Sequence, residues 1–463
     1  MPDPPWNVFP YHRPGSALFF PRDEGWHRLL PFGVANPDPR HMEWVYVNAH
    51  MREQGGTGRT FVLFAAYFTQ QLRFLVVRSF DAQDRYIAGC TGTTLGTLYG
   101  TAGELDLRFT HSGGVDTWRS LAGPFSSRLE AVDDAGAFAV RVRLTSTKRP
   151  YEAGGTGHMP FGRRGSFQYY SLTRLTVSGE LELPRAGGSE TVQVSGIGWF
   201  DHQWGPFFVT PFYLEDSEQY EWMSVQLDSG DELLLTTVWE PTGETPSLAA
   251  YGGAGLIRAN ETFAGLVGAH RWRRTKFWRS GRQNRVYAAG WTFHAPEWGA
   301  ALSIEPRHAD QLTPMLDASS PGLLSAFSRV LEGTTNYFGD FWEGSCRVVG
   351  TFGGQPARGV AFAELVKRYE DPQLLLSIDR HDHDLTVLRW RVTNPDEQLP
   401  LRHRFTLMRT DGSVLDDRTN LDVPVAVLDD PALPRGVELI AKAHACSLDG
   451  SLEGTDTLRF KLR

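Results

Sequence analysis

Short runs in which apolar and polar residues alternate fill most of this chain. Arg59 to Tyr67 (RTFVLFAAY) and Gln71 to Phe80 (QLRFLVVRSF) are rich in β-branched and aromatic residues. A brief polar break separates them, so they read as adjacent strands. Gly103 to Thr110, Ala137 to Leu144, Leu172 to Leu183 and Thr191 to Phe200 continue the pattern. A period of two is what a strand with one buried face requires. Helical spacing is nearly absent, and its best instance is Leu323 to Leu331 (LLSAFSRVL) after Pro321-Gly322. Many strands with almost no crossover helices imply antiparallel sheets, closed as barrels or packed as sandwiches.

A second strand series starts near Leu248. It runs through Arg285 to Phe293, Gly299 to Ile304, Ser345 to Gly350 and Gly359 to Val366. A third block holds Leu385 to Val392, Arg402 to Arg409 and Val437 to Lys442, with turns at Asn394-Pro395 and Asp411-Gly412. Its size suits a small, immunoglobulin-like β-sandwich. The expected domains are 1–245, 246–369 and 370–463, since 463 residues exceed what one core can serve.

Composition narrows the class. A net charge of −8 provides no long-range attraction for nucleic acid. Cys90, Cys346 and Cys446 are distant and odd in number, so no disulfide framework is expected and a cytoplasmic setting is the default. No window reaches the ~20 apolar residues of a membrane helix, and the first residues lack the charged-then-apolar order of a signal peptide. The 14 Trp and 28 Phe supply flat apolar surface for cores, and equally for a pocket that takes a hydrophobic ligand.

The stretch Trp199-Phe200-Asp201-His202-Gln203-Trp204-Gly205 resembles the signature of the carotenoid 1,2-hydratase (hydroxyneurosporene synthase, AttH-like) family. Phe20 to His27, Met42 to Tyr46, Phe167 to Gly179 and Glu221 to Leu227 agree with it in the same order. So do Gly290-Trp291-Thr292, Phe341 to Gly344 and Ala361 to Leu365, giving coverage of roughly residues 20–368. The resemblance implies two lipocalin-like β-barrel or sandwich domains in tandem. It also implies an apolar isoprenoid or polyene substrate and lyase or isomerase chemistry without cofactor or metal. The family's best-understood reaction adds water to a terminal double bond of an acyclic carotenoid. Relatives on the scaffold cyclise polyenes, Diels–Alder reactions included.

Alternation puts His202 and Trp204 on one face of a strand and Asp201 and Gln203 on the other. If the first pair faces a cavity, an imidazole moves the proton beside an indole that steadies a cation. If the second does, Asp201 is the acid, its pKa raised by burial. The structural alternative is a strand end whose polar groups cap a turn. Glu43, alone in an apolar run, is either catalytic or ion-paired, with Arg174 the candidate partner. Trp44, Tyr169, Tyr170, Gln203, Tyr213, Trp222 and Trp239 are candidate cavity walls, although core packing is the default for any single aromatic. The resemblance matches His202 and Trp204 to the hydratases' His-x-Trp. Their catalytic aspartate finds no counterpart in Glu232 to Glu240, where Thr236 and Thr237 stand instead.

Two other constellations carry less. His270 to Arg285 has seven Lys and Arg interleaved with Trp272, Phe277 and Trp278, and reads first as a solvated hairpin. An anionic head group or transient membrane-surface contact is its second reading. Arg380-His381-Asp382-His383-Asp384 lacks the convergent partners of a metal site and reads as a polar loop. The sequence thus favours a hydratase or cyclase of an apolar polyene, with a Diels–Alder-type pericyclase or a non-catalytic lipid carrier as rivals.

Overall fold

The computed structural model describes residues 5–27, 41–69, 71–161, 165–206, 219–239, 252–266, 270–281, 285–314, 340–382, 385–395 and 399–462. The helical stretch Leu323 to Leu331, Tyr213, Glu240, Leu248 and the pair His383-Asp384 lie outside the described residues. Two compact units emerge. One comprises 1–241, 246–270 and 295–366, and the other 242–245, 271–294 and 367–463.

The first unit is all-β, as the alternation predicts. Its larger sheet begins with Tyr86–Leu95, Leu72–Phe80, Thr60–Phe68 and His41–Glu53, each pairing with the next. It continues through Gly188–Pro206 and Gly165–Arg185, then four shorter strands and finally Thr97–Gly100. The strands at its two ends, Tyr86–Leu95 and Thr97–Gly100, are consecutive in the chain, and the sheet curls into a nearly closed barrel. A smaller, half-barrel sheet includes Glu232–Trp239, Gln219–Leu227, Gln355–Leu365 and Asp340–Phe352 as successive neighbours.

Central strands of the barrel are buried on both faces, which explains why they read as unbroken apolar runs. From Thr60–Phe68, the residues Phe61, Leu63, Ala65 and Tyr67 enter the barrel core. Val62, Phe64 and Ala66 join a second core with Tyr46, Trp199, Trp222, Leu234 and Phe362, contributed by both sheets. Polar bonds reinforce this layer. Gln226 donates to the carbonyls of Gly198 and Thr173 at 2.9 and 2.8 Å, and Arg78 to those of Glu343 and Gln311, both at 2.8 Å.

The second unit contains the strand Arg271–Arg279 and its antiparallel partner Val286–Ala295 as far as His294. Along it Trp272, Arg274 and Phe277 are buried while Arg271, Arg273, Lys276 and Arg279 are exposed, a solvated basic face on a strand. Two small sheets, of three and four strands, surround a core that includes Trp390, Phe405, Leu388 and Leu407.

Candidate active site

The strand Gly188–Pro206 ends one residue past the signature, which forms its last stretch. Tyr46 and Ser171 flank Asp201 in register, and Val45 and Tyr170 flank His202. Asp201 and His202 thus lie inside a three-strand ladder, near the end of their strand. As alternation requires, Phe200 and Trp204 enter the barrel core with Tyr170, while Trp199 joins the core shared by the two sheets.

On the barrel side, His202 is fully buried, and its Nε2 lies 2.9 Å from Glu43 Oε1. His27 Nδ1 approaches the same oxygen at 3.0 Å, and His27 Nε2 approaches Asp23 Oδ1 at 3.2 Å. Burial works against ionisation of Glu43, but the two imidazoles outweigh it and bring the carboxyl down to about 2. His27 goes the other way: burial opposes its charge, yet the carboxylates of Asp23 and Glu43 raise it. Burial lowers His202 against the pull of Glu43, so it is neutral, its Nε2–H donating and its Nδ1 without a partner. Trp204 stacks on His27 with centroids 3.9 Å apart, and Trp26 lies parallel to His202 at 6.3 Å. The expected Glu43–Arg174 pair does not form. Arg174 binds Glu232 and donates to the carbonyl of Leu227 at 2.7 Å, because its strand turns that side chain toward the smaller sheet. His27, Glu43 and His202 bring three potential metal-ligand atoms within 4.8 Å of one another. The hydrogen bonds just described hold these three side chains together.

The other face opens on a cavity of ≈ 30 Å³ between the sheets, lined by Trp44, Phe167, Tyr169, Gln203, Tyr220, Trp222, Thr236 and Glu364 among others. Asp201 lies against this aromatic wall. The Trp199 indole N–H donates to its Oδ1 at 2.7 Å. Burial lifts the Asp201 carboxyl to about 7 despite that donor. Trp222 Nε1–H donates to the Tyr169 hydroxyl at 3.1 Å, which fixes both rings.

Glu364 was missed by sequence reasoning. It belongs to Gln355–Leu365 and sits in register between Trp222 and Glu343, with Thr236 beyond Trp222. It is half-buried and lines the cavity. Burial raises its carboxyl to about 7, and the Tyr220 hydroxyl donates to it. A lone acid in the run Gly359 to Val366 was the available signal, the same one that singled out Glu43.

The geometry thus separates the predicted residues. Trp44, Tyr169, Gln203 and Trp222 line the cavity with Asp201 beside them, whereas Glu43, Tyr170, His202 and Trp204 belong to the barrel core. Trp239 follows Val238, a cavity-lining residue, and so points to the opposite face of its strand.

The sequence profile of the AttH-like family matches residues 11–368. The chain belongs to that family. Among solved structures it is similar to a putative AttH from Nitrosomonas europaea, with 21% identity and TM-score 0.51, over 76% of this chain and 97% of that one. Kievitone hydratase from Nectria haematococca is similar at 16% identity and TM-score 0.52, over 74% of this chain and 94% of the other. At such identities the likeness concerns the fold. No curated protein sequence matches the chain.

Proposed function

We propose that this AttH-like protein is a hydratase-type enzyme that protonates a double bond of an apolar isoprenoid or polyene at the cavity between its two sheets. One observation carries the reading: the half-buried carboxyl of Glu364, raised to about 7 by desolvation, lines an aromatic cavity. An acid must be protonated near neutral pH to act there, and a pKa close to the working pH suits general acid catalysis. The resemblance leads one to expect an acid on the strand that carries Thr236. Glu364 stands two strands away in the same cross-strand row, so it can reach the space that Thr236 also lines.

In the proposed reaction the Glu364 O–H bond breaks and its proton forms a C–H bond at the less substituted alkene carbon. The resulting tertiary cation is steadied by the faces of Trp44 and Trp222. Water then adds through oxygen, and its surplus proton returns to the Glu364 carboxylate. Attack by a second double bond of the same substrate would close a ring instead. The cavity has room for about two waters, far below a ligand pocket of several hundred Å³. A substrate terminus therefore needs the lining to rearrange, and the partly buried Trp44 and Met159 belong to that lining.

Asp201 would keep a second neutral carboxyl behind Tyr169, while Glu43, His202 and Trp204 brace the strand from the barrel side. The test offers kievitone and an acyclic carotenoid to the purified protein in D₂O. Expected is a product gaining one water, with deuterium on carbon, and loss of that product in Glu364→Gln. Bound but unaltered ligand with the wild-type protein would replace this reading by that of a carrier.

A further inference from the structure

Glu343 is a carboxyl without a visible structural purpose. It is buried, and its Oε2 has no hydrogen-bond partner. The nearby cation, Arg78, gives its Nη1 to the backbone carbonyl of Glu343 and its Nη2 to Gln311 and Thr313, rather than to the carboxyl. Directly across the ladder stands Glu364. Cross-strand partners project to the same side with Cβ atoms about 5 Å apart, so two carboxyls share one water-poor space. Because Arg78 spends its hydrogen bonds on backbone carbonyls and Thr313, two ionised carboxylates there would be poorly compensated, and such a pair retains at least one proton.

We propose that Glu343 is a positioning residue that keeps its own proton and donates a hydrogen bond to Glu364 when Glu364 gives its proton to the substrate. This rests on the reading of Glu364 as the acid. In atoms, the Glu364 O–H bond breaks toward carbon, and the Glu343 O–H then points at the new carboxylate without transfer being required. The proton released by the attacking water returns to Glu364, and the starting state is restored. The donation selectively stabilises the form of Glu364 that exists after proton transfer, which makes it a stronger acid without leaving it ionised at rest. Burial and the Glu364 charge both hold the Glu343 carboxyl well above the ordinary carboxylate range, the direction the role needs.

Other groups facing the pair are Tyr220, which donates to Glu364, and Arg78, Tyr46 and Asp201. None of the three replaces the missing donor by a hydrogen bond to Glu364. A buried carboxyl oxygen with no partner is costly to stability.

The test needs no substrate. Infrared difference spectra across a pH titration report the carbonyl stretch of protonated carboxylic acids, and Glu364→Gln identifies the band of Glu364. In Glu343→Leu the Glu364 band should titrate at a higher pH than in the wild type, because its anion has lost a donor. The shift expected is about one pH unit, the tenfold change that a charge-assisted hydrogen bond supplies. Glu343→Gln retains an N–H donor and should restore the midpoint to within a fraction of that shift. A midpoint that moves down in Glu343→Leu would mean that Glu343 was ionised and repelling its neighbour, and an unmoved midpoint would mean no coupling. Either result overturns the proposal. Thermal melts of both variants check the fold. Full hydratase activity in Glu364→Gln would instead remove the underlying reading, even with the predicted infrared shift in place.

Discussion

The two faces of one strand, Gly188–Pro206, treat charge in opposite ways. Toward the barrel, Glu43 and His27 form a compensated set in which the acid is driven down and the base up. Toward the cavity, Asp201 and Glu364 have hydrogen-bond donors but no ion-pair partner among the described residues, and burial drives both up. Paired buried charges fix structure and resist losing a member. Carboxyls kept neutral at working pH can give a proton away. The difference teaches that adjacent residues of one motif, Asp201 and His202, can serve separate ends because a strand sends them to separate solvents.

Substitutions should separate those ends, and the largest effect belongs to the cavity. Glu364→Gln is isosteric and should lower kcat by about 10²- to 10⁴-fold, the usual contribution of a general acid, with an unchanged melting curve. Next, Glu43→Ala leaves the buried Nε2–H of His202 without its acceptor and His27 with Asp23 alone, and should cost about 3 kcal/mol of stability, read from urea unfolding. Activity of that variant should fall only with its folded fraction at assay temperature. A Glu43→Ala protein that melts like the wild type yet is inactive would move the chemistry to the barrel side.

Much of this arrangement is legible in the sequence, and what is not has a physical reason. Alternation correctly sorts His202 with Trp204 and Asp201 with Gln203. It does not say which pair meets the cavity, because the neighbouring strands are apolar on both faces and offer no polar side to orient the pattern. Thr60–Phe68 illustrates the point, since every residue from Phe61 to Tyr67 is buried. Pairing across long separations is equally silent in the sequence: Arg174 meets Glu232 rather than Glu43 only because the smaller sheet lies against that face. Glu364 escaped because no motif marks it. Its chemistry comes from Trp222 and Tyr220, roughly 140 positions earlier, folding beside it.

The pH dependence of stability sharpens the contrast, since the two faces have opposite signs. Glu43 has a folded pKa of about 2 against an ordinary 4.5. Its stabilisation is present above the unfolded value and is lost as pH falls toward 2. Asp201 has a folded pKa of about 7 against 3.8. The folded state then binds the extra proton between those values, so stability declines as pH rises through them and levels off above 7. About three pH units correspond to roughly 4 kcal/mol, an order of magnitude for a fully buried group. Asp201→Asn, which cannot ionise, should gain stability relative to the wild type at pH 8 by up to that amount and show little gain near pH 3.5. Urea midpoints at the two pH values measure it. An equal difference at both would mean that Asp201 is ionised in the fold.

The smallest expected effect tests whether the aromatic wall matters for its shape or for its polar edge. Trp222→Phe keeps a ring in the cavity but removes the N–H that holds the Tyr169 hydroxyl. One neutral hydrogen bond contributes about 1 kcal/mol, and the smaller ring leaves added space beside Glu364. Because cation–π attraction is weaker for phenyl than for indole, kcat should drop by several-fold while KM changes less. Were the indole only a wall, KM would rise and kcat would hold. That split, read on the same substrate as Glu364→Gln, decides whether the cavity face stabilises charge or merely encloses a chain.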